Sequence, residues 1–203
     1  MKVIEVFADV GCPFAHAGLR RFRSYRQQLT RSEPVLRVRA WPLELVNGQP
    51  LDGASLTPKI AALRADVAAD LFVGFVARRF PPTTLPAMAA EAAAYRQGLE
   101  SGEAFSFAVR DALFEEGLDV SDAEVLRGLR EAHGVPKPTE ADHAAVREDL
   151  AAGRGRGVSG SPHFFTSDGD FFCPSLDIKH DATGYKVYVD AAGFQRFVSA
   201  AFD

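Results

Sequence analysis

Strand-like segments occur near the two ends of this chain and nowhere across residues 54–152, and that distribution limits the fold more than any single motif does. KVIEVFAD (2–9) is short, apolar and β-branched, the pattern of a buried strand. From Pro13 to about Leu29 the apolar spacing turns helical, and VLRVRAW (35–41) then alternates as a second strand that Pro42 ends. Residues 54–152 are rich in Ala, Leu, Glu and Arg, and the periodicity predicts helices over 57–79, 86–99, 103–117, 122–133 and 140–152. Ser121 with Glu124 has the spacing of a capping box, and Thr139 that of an N-cap. Strand signals return in PHFFT (162–166), the turn SDGD and FFC (171–173), a hairpin, followed by YKVYV (185–189) as a further strand. Asp190 can cap a last helix that carries Phe194, Phe197 and Val198 on one face. Strands at both ends with helices between them predict an α/β fold: one domain made of 1–53 plus 153–203, with 54–152 as a helical insertion subdomain packed over one end of a four-stranded sheet.

Bulk properties set outer limits. The chain has 203 residues, 47% apolar and 25% charged, enough for a sizeable core. A net charge of −4 argues against a nucleic-acid or anionic-membrane partner. The N-terminal MKVIEVFADV has neither the length nor the flanks of a signal or a membrane span, so a cytoplasmic location is expected. Two cysteines cannot build a disulfide scaffold, and five scattered histidines show no metal-ligand spacing.

The chemistry concentrates in GCPFAH (11–16). A cysteine where a strand gives way to a helix faces the helix's free N–H groups and the positive end of its dipole, which favour the thiolate. Pro13 suits the first helical position, where its missing N–H costs nothing. This reading expects Cys12 to have a lowered pKa and to gain stability from ionisation as pH rises; the alternative is a buried cysteine that serves as a small apolar side chain. The second segment is GVSGSPHFF (157–165). A proline opening a strand is either trans on an edge or cis in a tight turn.

Taken together, FADVGCPFAHAGL, the helical block, Trp41-Pro42 and GVSGSPHFF resemble the DsbA-like branch of the thioredoxin fold, over nearly the whole chain. The pattern is similar to FrnE-like oxidoreductases, 2-hydroxychromene-2-carboxylate isomerases and kappa-class glutathione transferases. The resemblance implies that Cys12 is the attacking cysteine, that Pro162 is the cis-proline facing it, and that Ser161 offers a backbone edge to a bound peptide or glutathione-like thiol. The substrate-binding set it suggests is Pro13, Phe14, His16, Trp41, Ser161 and Pro162. No metal is implied and no tightly bound cofactor; glutathione or a similar low-molecular-weight thiol enters as a co-substrate. The expected partners are a small-molecule thiol or a protein disulfide, with a homodimer left open.

One departure matters. Oxidoreductases of this type carry C-x-x-C, and here Ala15 stands at the fourth position, so no local disulfide can close at Cys12. Three functions follow: thiol–disulfide exchange through a single nucleophilic cysteine, isomerisation or transfer on an aromatic substrate with a bound thiol, or a binding module that kept the scaffold. Cys173 ends a strand two places across from Cys12, roughly 10 Å away at the usual strand spacing. That is too far for a bridge unless the loop CPSLD folds inward, so Cys173 is expected to be a packed thiol. In kappa-class relatives the loop holding Ser175 and Asp177 helps to hold glutathione. His16 is either a donor to the Cys12 sulfur or a surface residue, His163 either packs or faces the site, and Arg154 and Arg156 either greet an anion or are solvated. Phe14, Trp41, Phe72, Phe75, Phe80, Phe105 and Phe107 are core candidates or a groove lining, and Glu115 and Glu116 read as a solvated face.

Overall fold

The structure, a computed structural model, describes residues 1–181 and 184–202. Strand β1 (Val3–Ala8) leads into helix α1 (Pro13–Gln28) and returns to β2 (Val35–Ala40). A helical stretch follows: α2 (Leu43–Asn47), α3 (Gly53–Asp66), a 3-10 turn at Ala77–Arg79, α4 (Leu85–Tyr95), α5 (Leu99–Phe114), α6 (Ala123–Ala132) and α7 (Glu140–Gly155). The chain then forms β3 (His163–Thr166), β4 (Gly169–Phe172), β5 (Leu176–Asp181), β6 (Gly184–Val189) and α8 (Ala191–Phe202). The main sheet has the order β2-β1-β3-β4, with β1 and β2 parallel and the remaining pairs antiparallel. This is the mixed α/β sheet that the strand distribution predicted.

The two faces of β1 follow from its period of two. Ile4, Val6 and Ala8 pack with Ala15, Leu19 and Phe22 of α1 and with Phe194, Phe197 and Val198 of α8. Phe7 points the other way, into a cluster with Trp41, Leu150 of α7 and Val158. Each fully buried Phe or Leu here contributes about 1.5–3 kcal/mol. The helical stretch also seals the outer edge of β2. The N–H groups of Leu36, Val38 and Ala40 donate to Glu103 (2.9 Å), the Tyr95 hydroxyl (2.8 Å) and Asp149 (3.0 Å), from α5, α4 and α7 in turn. An edge strand that would otherwise invite pairing is thereby closed.

Several boundaries differ from the sequence-based ones. Helix α3 starts earlier because Asp52 accepts from the N–H groups of Ala54 and Ser55, and it stops at Asp66 rather than continuing to residue 79. The cap of α6 is Asp122, which accepts from Glu124 and Val125, while Ser121 donates to Asp119. Thr139 caps α7 through Asp142, which accepts from the Thr139 N–H and hydroxyl. The largest addition is β5: YKVYV does not extend the main sheet but pairs with β5 in a separate two-stranded ribbon. Among the described residues no helix is long and apolar enough to cross a membrane.

Candidate active site

The end of β1 is pinned before α1 begins. Asp9 Oδ1 accepts from Gly11 N–H at 2.7 Å and from the Thr84 hydroxyl at 3.0 Å, and Oδ2 accepts from Leu43 N–H at 2.6 Å. Gly11 is pressed against the helical stretch: a Cβ there would lie 3.0 Å from the Phe80 ring and 3.1 Å from Thr84. Cys12 is the N-cap residue of α1, in extended backbone, with Pro13 at the first helical position. Its thiol donates to the Ser161 carbonyl at 3.1 Å. Ser161 is tied to the same corner, because its hydroxyl oxygen accepts from Asp9 N–H at 2.9 Å. The Ser161–Pro162 peptide bond is cis, as is Glu33–Pro34, which the sequence did not flag. The structure thus brings Cys12, Pro13, Ser161 and Pro162 to one corner of the sheet, with Phe14 half-buried between the two main core clusters.

The electrostatics of Cys12 run against the helix-start expectation. Burial, the largest influence, pushes the thiol up from its ordinary value, and the negative charge of Asp9 adds to the rise. The Ser161 side chain and the amides of Ala15 and Phe14 pull the other way and favour the thiolate. Burial wins because Cys12 is only 4% exposed, and a desolvated charge costs more than partial dipoles return. Ionisation of Cys12 therefore weakens the fold at high pH rather than supporting it. Asp9, fully buried, is itself pushed up to about 6, its three donors opposing the effect of burial.

Other residues singled out from the sequence lie elsewhere. His16 does not meet the sulfur. Its Nε2 lies 2.6 Å from Glu115, and its ring packs between Phe72 and Phe114. Burial holds His16 below its ordinary pKa, so the neutral ring donates from Nε2, and the partnerless Nδ1 is the cheaper orphan of an unprotonated nitrogen. Glu115 is accordingly no solvated residue: it also accepts from the N–H groups of Phe72 and Val73. Trp41 is core on the sheet face opposite α1, edge-on to Phe7, and so close to α7 that a Cβ at Gly153 would fall 2.5 Å from its ring. His163 packs on Phe165 and donates from Nε2 to Asp170, since Nδ1 accepts from Ser159 N–H.

Arg156 pairs with Glu5 and lies over the Phe165 ring; both Arg154 and Arg156 are exposed. Phe72 and Phe105 are buried core, while Phe107 lines a cavity of about 560 Å³ with Arg23 and His133, along the far part of α1. Ser175 is buried, and Asp177 is exposed and pairs with Lys179 at 3.2 Å. The residue sequence reasoning missed is Asp9. Its signal was present: a carboxylate at the end of an otherwise apolar strand, three residues before the cysteine.

A family model described as a DSBA-like thioredoxin domain matches residues 3–183. Among solved structures, the chain is similar to a 2-hydroxychromene-2-carboxylate isomerase, at 17% identity and TM-score 0.62 over 84% of this chain and 88% of that one. A putative protein disulfide isomerase from Nitrosomonas europaea matches at 15% identity and TM-score 0.64, over 98% of this chain and 97% of that one. The cytosolic disulfide reductase DsbM from Pseudomonas aeruginosa matches at 14% identity and TM-score 0.61, over 97% of each chain. At these identities the likeness is one of fold. No curated protein matches.

Proposed function

Because this chain belongs to the DSBA-like thioredoxin domain family, we propose that it performs thiol–disulfide exchange with Cys12 as the attacking sulfur, in a reducing compartment, on the disulfide of a small thiol such as glutathione or on a protein disulfide. The observation that carries this reading is the Cys12 sulfur at the start of α1, 3.1 Å from the Ser161 carbonyl in the turn that leads into Pro162. A disulfide lying along that turn presents a sulfur to Cys12. The thiolate attacks it, a Cys12–substrate bond forms, the substrate's S–S bond breaks, and the departing thiolate takes up a proton. The Ser161 hydroxyl and the first amides of α1 support the thiolate as it forms, and the Ser161 carbonyl accepts a hydrogen bond from the resting thiol. Ala15 in place of a second cysteine leaves the mixed disulfide without a partner inside the C-x-x-C window.

Glutathione disulfide supplies the test. It should block Cys12 against later alkylation and release free glutathione, while Cys12→Ser should release none. Equal release from both proteins would reject the reading. One observation favours a second reading, a thiol-dependent isomerase or transferase. The thiol rests protonated, and a protonated group here can donate to the sulfur of a bound thiol instead of attacking. Turnover of an aromatic substrate that persists in Cys12→Ser would select it.

A further inference from the structure

The second cysteine occupies a place that its position in the sequence does not reveal. The pairing of β3 with β4 matches His163 to Phe172, and one step further Cys173 N–H donates to the Pro162 carbonyl at 2.9 Å. Cys12 is bonded to the carbonyl of Ser161, the residue before. The two thiol residues therefore hang on consecutive carbonyls of one turn. Counting strands from β1 overstates their separation, because the Cys12 sulfur already reaches the backbone leading into β3. From there to the backbone of Cys173 is one interstrand spacing, about 5 Å. A disulfide needs Cα atoms about 4.4–6.8 Å apart, so the Cys173 turn has to close on Cys12 across this one spacing rather than across two strands.

The loop after β4 also turns inward. Leu176 N–H donates to Cys173 O at 3.1 Å, closing a turn in which Cys173, Pro174, Ser175 and Leu176 are all buried. The same face of α1 meets both halves of the arrangement: a Cβ at Gly18 would lie 3.4 Å from Pro162 and 3.9 Å from the Ser175 hydroxyl. Cys173 holds φ at +44°, a region where glycine or asparagine is the usual choice. Backbone preference thus gives no reason for a cysteine there. Both thiols are free, and charge on one is felt by the other.

We propose that Cys173 is the resolving thiol of this site: it takes the place of the fourth-position cysteine that the chain lacks and closes a Cys12–Cys173 disulfide across the Ser161–Pro162 turn. The proposal rests on the exchange reading above. In its step, Cys173 attacks the Cys12 sulfur of the mixed disulfide. The Cys12–Cys173 bond forms, the Cys12–substrate bond breaks, and the proton of Cys173 passes to the departing thiolate. Across both steps one substrate disulfide is reduced to two thiols while the protein's two thiols are oxidised to one disulfide. An external low-molecular-weight thiol, through two exchanges, restores the reduced protein.

Intact-mass analysis and non-reducing peptide mapping of the full chain, with glutathione disulfide as the probe, decide the matter. Wild type should lose two hydrogens and yield a linked Cys12–Cys173 peptide pair, with no lasting adduct. Cys173→Ser should instead hold one glutathionyl group on Cys12, and Cys173→Ala, which keeps the site apolar, should do the same. A wild-type adduct as persistent as that of the two variants overturns the proposal. If neither variant takes up glutathione, the exchange reading fails on its own, and diamide, which oxidises paired thiols directly, then tests the pair alone. A linked peptide pair in wild type upholds the pairing, and its absence overturns it.

Discussion

Cys12 and Cys173 are bonded to neighbouring carbonyls, yet their seats differ in what surrounds the sulfur. Burial raises both thiols. At Cys12 the first amides of α1 and the Ser161 side chain work against that rise; at Cys173 no such donor opposes it, and the thiol is pushed up to about 12. The lesson is that a helix start does not by itself make a low-pKa cysteine. It offsets desolvation in part, and the remainder is set by how deeply the sulfur lies and by the nearest charge, here Asp9.

Asp9 gives the largest lever on that contrast. With a folded value near 6 against an unfolded one of 3.8, the native state holds a proton that the unfolded chain has already lost. Stability from this group is therefore greatest below pH 4 and declines as pH rises through 6, by on the order of 3 kcal/mol. Urea titrations of wild type and Asp9→Asn between pH 4 and 7 should show that slope in the first and not in the second. Asp9→Asn should also lower the pH at which Cys12 is alkylated, since one raising influence is gone; an unchanged midpoint would remove Asp9 from the account. With the asparagine oxygen kept on Gly11 and Thr84, its NH2 cannot accept from Leu43, so a uniform loss of about 1–3 kcal/mol should accompany the change.

Cys173 comes next. Its unfolded thiol ionises first, so stability should fall as pH rises beyond the ordinary thiol range toward the folded value near 12. At pH 10.5 the loss should reach about 2–3 kcal/mol, and Cys173→Ser should make that alkaline limb shallower, leaving the part that Cys12 contributes. A limb of the same depth in the variant would place its origin elsewhere. Glu115→Gln is expected to cost about 1–3 kcal/mol, measured by chemical denaturation, because His16 and the amides of Phe72 and Val73 lose a charged acceptor. The Cys12 alkylation rate should not follow, since this pair lies away from the sulfur. Smallest of all, Trp41→Phe should cost under about 1.5 kcal/mol, because the indole N–H has no partner to lose. A fall in Cys12 exchange with glutathione disulfide in that variant would return Trp41 to the site.

The parts legible in the sequence were those written in local signals. The β1–α1 junction announces itself by an apolar run and Cys-Pro, and the β3–β4 hairpin by Ser-Pro and the SDGD turn. What the sequence concealed is non-local. Strand β5, LDIKHD, alternates with charged residues and gains its identity only by pairing with β6. Glu115 lies 99 residues from His16, so nothing near it distinguished the acceptor of a buried histidine from a solvated face. Trp41 followed the strand-then-proline pattern of a substrate-facing aromatic, but its direction was set by Gly153 on α7, whose missing side chain makes room for the ring.

The claim at the centre is that Cys12 reacts as the site's nucleophile despite a raised pKa. The rate of iodoacetamide alkylation against pH, measured on Cys173→Ser so that one thiol remains, tests it most directly. The account predicts a single rise whose midpoint lies above the free-thiol value of about 8.5, lost when Cys12 is also replaced by serine. A midpoint at or below the free-thiol value, or labelling that begins only where the protein unfolds, would contradict it.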